Sequence, residues 1–167
     1  MQEPYKSLLE KLTKLLQEEF QDKLISVVLY GSVARGDNRK DSDIDLLLVI
    51  KDLPKTITER VILFDKVERK LDDYIMRLMD DGYYITFSPV LKTPEEAMRF
   101  SPIYMDMTED AIILYDENGF FRKVLEKTKK RLKELGFERV WLSKKSWYWR
   151  KRNYKFGEMI DFGDVLE

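Results

Sequence analysis

The sequence predicts an α+β fold: a small mixed β-sheet of about four strands flanked by helices, with an aromatic and basic C-terminal extension. Three observations carry this. Two short apolar runs, Leu24–Tyr30 (LISVVLY) and Ile44–Ile50 (IDLLLVI), are bounded by turn residues in the manner of buried strands. Leu8, Leu9, Leu12, Leu15, Leu16 and Phe20 recur at helical spacing before the first of them. The length of 167 residues with 44% hydrophobic side chains suits one domain with a real core.

The elements follow in order. The leucine stripe makes an opening amphipathic helix, and the first strand stops at Gly31. The stretch 32–42 is polar, with Gly36, Asp37 and Asn38 as turn residues. After the second strand, Asp52-Leu53-Pro54 breaks the chain. A long helix is expected over 58–79, from the stripe Val61, Phe64, Val67, Leu71, Ile75 and Leu78, with Gly82 just past its end. Residues 84–91 (YITFSPVL) read as a third strand, placed at an edge or bulged by Pro89. Thr93 caps a short helix begun by Pro94, Glu95 and Glu96. Residues 111–115 make a fourth strand, and 120–135 a basic amphipathic helix ended by Gly136. The tail 139–162 has no clean period. We expect residues 1–136 to form the domain and 137–167 an extension packed on it, with no repeat and no low-complexity linker.

Composition narrows the chemistry. Lys and Arg number 30 against 31 Asp and Glu, so the net charge is −1 although 37% of residues are charged. No global pull toward nucleic acid or a membrane follows, and a nucleic-acid contact would need a local patch. The absence of cysteine excludes disulfides, thiolate metal sites and a cysteine nucleophile. The absence of histidine removes the commonest general base, the commonest zinc ligand and every triad built on histidine. Catalysis is left to carboxylates, hydroxyls, Lys, Arg, Tyr or a hard cation held by oxygen. With no apolar run of membrane-spanning length and no basic-then-apolar start, a cytoplasmic protein is expected. Balanced Lys, Arg and Glu without Cys is also a thermophile pattern.

One constellation stands out. Gly31 lets the backbone come close to a ligand, and the turn after it, with Ser32, offers N–H and O–H donors to a phosphate. By itself a Gly-Ser pair after a strand is an ordinary turn. Asp43 and Asp45 alternate along a strand and so share one side, with α-carbons about 7 Å apart. Two solvated acids ahead of a strand would be the plain reading of that pair alone. At the mouth of a buried strand, however, two like charges call for a positive partner, and magnesium wants one or two carboxylates plus substrate phosphates. Arg35, Arg39 and Lys40 lie in the linker as triphosphate contacts or as solvated loop charge.

Gly31-Ser32, ten intervening residues, then Asp43-Ile44-Asp45 (GSVARGDNRKDSDID) resembles the signature of the DNA polymerase β-like nucleotidyltransferases, and most of all the minimal nucleotidyltransferases. The resemblance spans the first two strands. It implies a nucleotidyltransferase fold in which Asp43 and Asp45 hold one or two Mg2+ ions. The Gly31-Ser32 turn grips a nucleoside triphosphate, here expected to be ATP, and Arg35 and Arg39 of the linker are expected to join in binding it. A hydroxyl attacks the α-phosphate and pyrophosphate leaves. Active members carry a third acid on a later strand; the matching strand here offers Thr86 and Ser88, with Asp106 and Asp116 as substitutes from later segments. Asp72, Asp73, Asp80 and Asp81 read as a solvated helix face.

Three functions are compatible with these residues. The first is an enzyme that moves a nucleoside monophosphate to a hydroxyl, which the resemblance extends to a tyrosine of a partner toxin. The second is an interaction protein, weak or inactive in catalysis, that acts as an antitoxin by binding a helical, ribonuclease-like HEPN-type toxin. The third, a nucleic-acid module, rests on the tail 141–155 (WLSKKSWYWRKRNYK), whose interleaved aromatic and basic residues suit stacking on bases. That tail also suits a strand pair whose aromatics cap the core while Lys and Arg face water, or a protein interface. Homo-oligomerisation stays open.

Overall fold

The computed structural model describes residues 1–163. Helix α1 (Tyr5–Phe20) buries Leu8, Leu9, Leu12 and Leu16 completely, as the stripe requires. It is followed by β1 (Leu24–Tyr30), a short α2 (Gly31–Arg35) and β2 (Ile44–Ile50). Next come α3 (Ile57–Glu68), α4 (Asp72–Asp80), β3 (Phe87–Lys92), α5 (Pro94–Met98), α6 (Ile103–Asp110) and β4 (Ile112–Asp116). After β4 come α7 (Phe120–Glu134) and a hairpin of β5 (Phe137–Ser143) and β6 (Ser146–Lys151).

The main sheet has the order β3-β2-β1-β4. β1 pairs antiparallel with β2 and β4, while β2 pairs parallel with β3, so the sheet is mixed as the sequence implied. Alternation splits its side chains between two cores. One face (Val27, Leu29, Ile44, Leu46, Leu48, Ile50) packs on α1, α3 and α4. The other (Ile25, Val28, Leu47, Val49) packs on α5, α6 and α7 through Ala97, Tyr104, Met107, Phe121 and Val124. Among the described residues no helix is long and apolar enough to cross a membrane.

Pro89 does sit on an edge strand. Arg60 covers that edge: its Nη1 donates to the Leu91 carbonyl at 3.1 Å, and its fork grips Glu96 at 2.6 and 3.0 Å. Glu96 is in turn the capping-box acid of α5, reaching the Thr93 N–H at 2.9 Å.

The single helix expected over 58–79 is two. A tight turn at Arg69–Leu71 separates α3 from α4. Leu71 remains buried in the stripe, while Asp72 and Asp73 open α4, where its N-terminal dipole favours acids. The third strand begins three residues later than expected, at Phe87. The first part of the aperiodic tail belongs to the β5–β6 hairpin, paired Trp141 to Trp147 and Arg139 to Trp149. On its outer side Arg152 and Arg150 both clasp Glu138 and hold that carboxyl down to about 2.

Candidate active site

β1 delivers the chain to Gly31, whose φ of +74° is open to glycine at little cost. A β-carbon there would collide with the carboxylate oxygen of Asp45 and lie 3.1 Å from its Cγ. The carboxylate therefore rests directly on the turn. Ser32 is the second residue of the short helix α2, and its carbonyl accepts from the N–H groups of Gly36 (2.9 Å) and Asp37 (3.2 Å). Among the described residues the Ser32 hydroxyl has no hydrogen-bond partner.

Asp45 is the second residue of β2, in register with Tyr30 of β1 and Ser88 of β3. Alternation puts it on the α5–α6–α7 face, with Leu47 and Val49. Asp43 stands just ahead of the strand and is exposed, whereas Asp45 is half-buried. Burial raises the pKa of Asp45 first, repulsion from Asp43 raises it further, and the Arg35 charge pulls it down. Burial, and then the Asp45 charge, also raise the pKa of Tyr30.

The loop from α2 to β2 is pinned from outside. Tyr5 O–H donates to the Arg39 carbonyl at 3.2 Å, and Tyr84 N–H to the Lys40 carbonyl at 2.9 Å. The Lys40 ammonium sits 4.4 Å over the Tyr83 ring. These anchors hold the loop while leaving Asp43 open. Of the residues singled out in the sequence, Gly31, Ser32, Arg35, Asp43 and Asp45 gather at this end of the sheet. Arg39 is turned away onto Asp41, Nε to Oδ1 at 3.0 Å, with its side chain 80% exposed.

Neither later acid sits free beside the pair. Ser88 occupies the position alongside Asp45. Asp106, on α6, accepts the indole N–H of Trp147 at 2.7 Å and of Trp149 at 2.9 Å. Asp116 pairs with Ser26, four residues before Tyr30 and thus about 13 Å down β1. There it accepts from Ser26 Oγ (2.6 Å) and from the Phe121 and Arg122 N–H groups (2.9 and 3.0 Å), capping α7. Asp116→Ala is expected to cost about 2–3 kcal/mol in urea unfolding, through a lost cap and an unpaired serine, with nucleotide affinity unchanged.

Sequence reasoning missed what surrounds Arg35. Its guanidinium lies 4.7 Å over the Trp147 ring, and Arg139 lies 4.0 Å from the same ring. Arg139 is not a solvated strand cation: its side chain is 8% exposed and forks onto Asp110 of α6 at 3.0 and 2.7 Å. Lys145, at the hairpin tip, donates to the Asp37 carbonyl at 3.2 Å. Interleaved Trp and Arg in the tail was the only signal, and it did not say which partner they would find.

With this geometry in place, the relatives can be read. The nucleotidyltransferase domain model matches residues 9–114, from the first helix to the fourth strand of the sheet. The chain belongs to the nucleotidyltransferase domain family. A relative provisionally named protein adenylyltransferase MJ1305, from Methanocaldococcus jannaschii, is 30% identical over 131 residues, covering 77% of this chain and 84% of its own. Among solved structures, a chain of a toxin–antitoxin crystal structure with AMP-PNP aligns over 74% of this chain and 89% of its own, at 20% identity and a TM-score of 0.47. Spectinomycin adenyltransferase from Enterococcus faecialis, crystallised with ATP and spectinomycin, aligns over 77% and 67% respectively, at 12% identity and a TM-score of 0.49. The matched residues include the Gly31 turn, Asp43 and Asp45. The β5–β6 hairpin lies outside the matched residues.

Proposed function

We propose that this chain binds ATP with magnesium and transfers AMP to a hydroxyl group of a protein. The observation that carries the reading is the Asp45 carboxylate lying on the Gly31 turn, which puts a cation-seeking acid against a backbone able to face phosphates. The name of the 30%-identical relative supports protein as the acceptor class.

The donor set fits a hard divalent ion. Among the described residues no cluster of three or more acids, histidines or cysteines is placed to hold a metal. Asp43 and Asp45 would supply two carboxylates, and phosphate oxygens and water would complete the shell that Mg2+ prefers. One or two such ions, when bound, neutralise triphosphate charge and ease displacement at phosphorus. Gly31 and Ser32 hold the β- and γ-phosphates, and Arg35 approaches the triphosphate from the end of α2. Arg39 would join only by leaving Asp41. The acceptor oxygen bonds to the α-phosphorus, the bond to the bridging oxygen breaks, pyrophosphate leaves, and the hydroxyl proton passes to solvent.

Incubation with Mg-ATP and a co-expressed partner protein tests this. Label should enter protein from α-phosphorus-labelled ATP and not from γ-labelled ATP, and EDTA should stop it. Equal labelling by wild type and an Asp43→Asn/Asp45→Asn variant would sink the reading.

The serine beside Asp45 favours a second reading, a protein that binds Mg-ATP without turnover and acts by holding its partner. The partner that the sequence resemblance implies is a HEPN-type toxin. Tight, magnesium-dependent ATP binding with a stable partner complex and no label transfer would select it.

A further inference from the structure

The C-terminal hairpin reaches back to the front of the molecule, and its contacts converge on one side chain. Arg35 ends α2 and is partly covered, its side chain 21% exposed. Among the described residues its one hydrogen bond is Nε to Asp37 at 3.4 Å, and Asp110 stands 4.0 Å from Nη1. Its guanidinium carbon lies over the Trp147 ring, 4.7 Å from the centroid. Three further contacts hold the ring. Arg139 covers it at 4.0 Å, its indole N–H is bound to Asp106 at 2.7 Å, and Trp141 packs on it at 5.1 Å between centroids. Arg139 is itself clamped on Asp110 of the same helix that carries Asp106. Two α6 carboxylates thus fix a Trp147 platform, and the platform fixes Arg35. With Nε alone hydrogen-bonded among the described residues, a guanidinium held over a ring keeps further N–H donors for a phosphate.

We propose that Trp147 is a positioning residue of the nucleotide site: its indole face holds the Arg35 guanidinium in the attitude that receives the triphosphate. The hairpin is then part of the binding apparatus, although it lies beyond the family-matched residues. Trp147 touches no phosphate; it acts through Arg35. Lys145 on the Asp37 carbonyl adds a second tie between the hairpin tip and the loop after α2.

This rests on the reading of the site as one for a nucleoside triphosphate, and the experiment separates the two. Mg-ATP affinity is measured by titration calorimetry on the full chain. A wild type that binds no Mg-ATP removes the functional reading and this proposal together. With wild-type binding in hand, Trp147→Leu should weaken Mg-ATP about fivefold, the scale of a partly desolvated cation–π contact. Arg35→Ala should weaken it about 30-fold, the scale of charged hydrogen bonds to phosphate. The double variant should bind like Arg35→Ala alone, because Trp147 has nothing left to position. Effects that multiply would overturn the proposal, as would wild-type affinity in a folded Trp147→Leu protein. Should that variant fail to fold, site-specific fluorination of the 147 indole decides, since it weakens the ring's attraction for cations at nearly constant shape. The Kd should then climb with each fluorine at 147 and stay flat with fluorine at 141, a ring that stacks on Arg139 instead. A flat series at 147 refutes the role.

Discussion

Asp45→Asn is expected to lower nucleotidyl transfer by at least about 100-fold while raising the melting temperature of the nucleotide-free protein by about a degree or two. Both effects have one origin. In the free protein the Asp45 carboxylate is half-buried against the Gly31 turn and repelled by Asp43, and Arg35 is the cation that opposes this. The ionised form is therefore less comfortable folded than unfolded. The sign follows from linkage. A carboxyl whose folded pKa is raised lowers stability once the pH passes above that pKa, and the penalty vanishes below the ordinary carboxyl value. The stability gap between Asp45→Asn and wild type should be widest at neutral pH and close on acidification. Melting curves across that range, beside the transfer assay, check both halves. A variant that keeps wild-type transfer, or melts lower than wild type at neutral pH, would refute this account of Asp45.

Gly31→Ala is expected to damage the site more than its size suggests. The left-handed backbone costs a residue with a β-carbon about 1–2 kcal/mol. The new methyl also meets the Asp45 carboxylate, so either the turn or the acid must move. We expect Mg-ATP affinity to fall by more than about tenfold, since moving the carboxylate by about 1 Å would spoil the ligand role proposed for it. Gly36→Ala is the matched control. Gly36 has a similar φ of +76°, but nothing lies within 4 Å of the added carbon. It should show the backbone cost in urea unfolding and retain nucleotide affinity. Equal affinity losses in the two variants would mean that Asp45 does not depend on the close approach at Gly31.

Much of the fold was legible because local sequence and tertiary burial agreed. Both central strands, Leu24–Tyr30 and Ile44–Ile50, match their predicted bounds, since they are apolar on both sides and walled by turn residues. The break at Arg69–Leu71 was hidden because the apolar stripe runs through it: Leu71 and Leu78 stay buried although the helix is interrupted. For the candidate site, spacing singled out Asp43, Asp45 and the Gly31-Ser32 turn, and the fold brings the turn and Asp45 together where β1 ends and β2 begins. Asp106 and Asp116 show the limit. Their chain position could not reveal that one is bound by two indoles and the other caps a helix at the opposite end of β1. The Arg35–Trp147 contact joins residues more than a hundred positions apart, and no periodicity encodes such a pairing.

The guarded edge of β3 bears on how this molecule meets others. Two copies colliding edge to edge would find a proline ring where a donor is needed and a guanidinium already seated on the Leu91 carbonyl. Neighbouring sheets therefore cannot zip together along this border as the protein accumulates. Another chain is likewise kept from joining the sheet as an extra strand at this edge, which leaves β4 as the other border of the sheet.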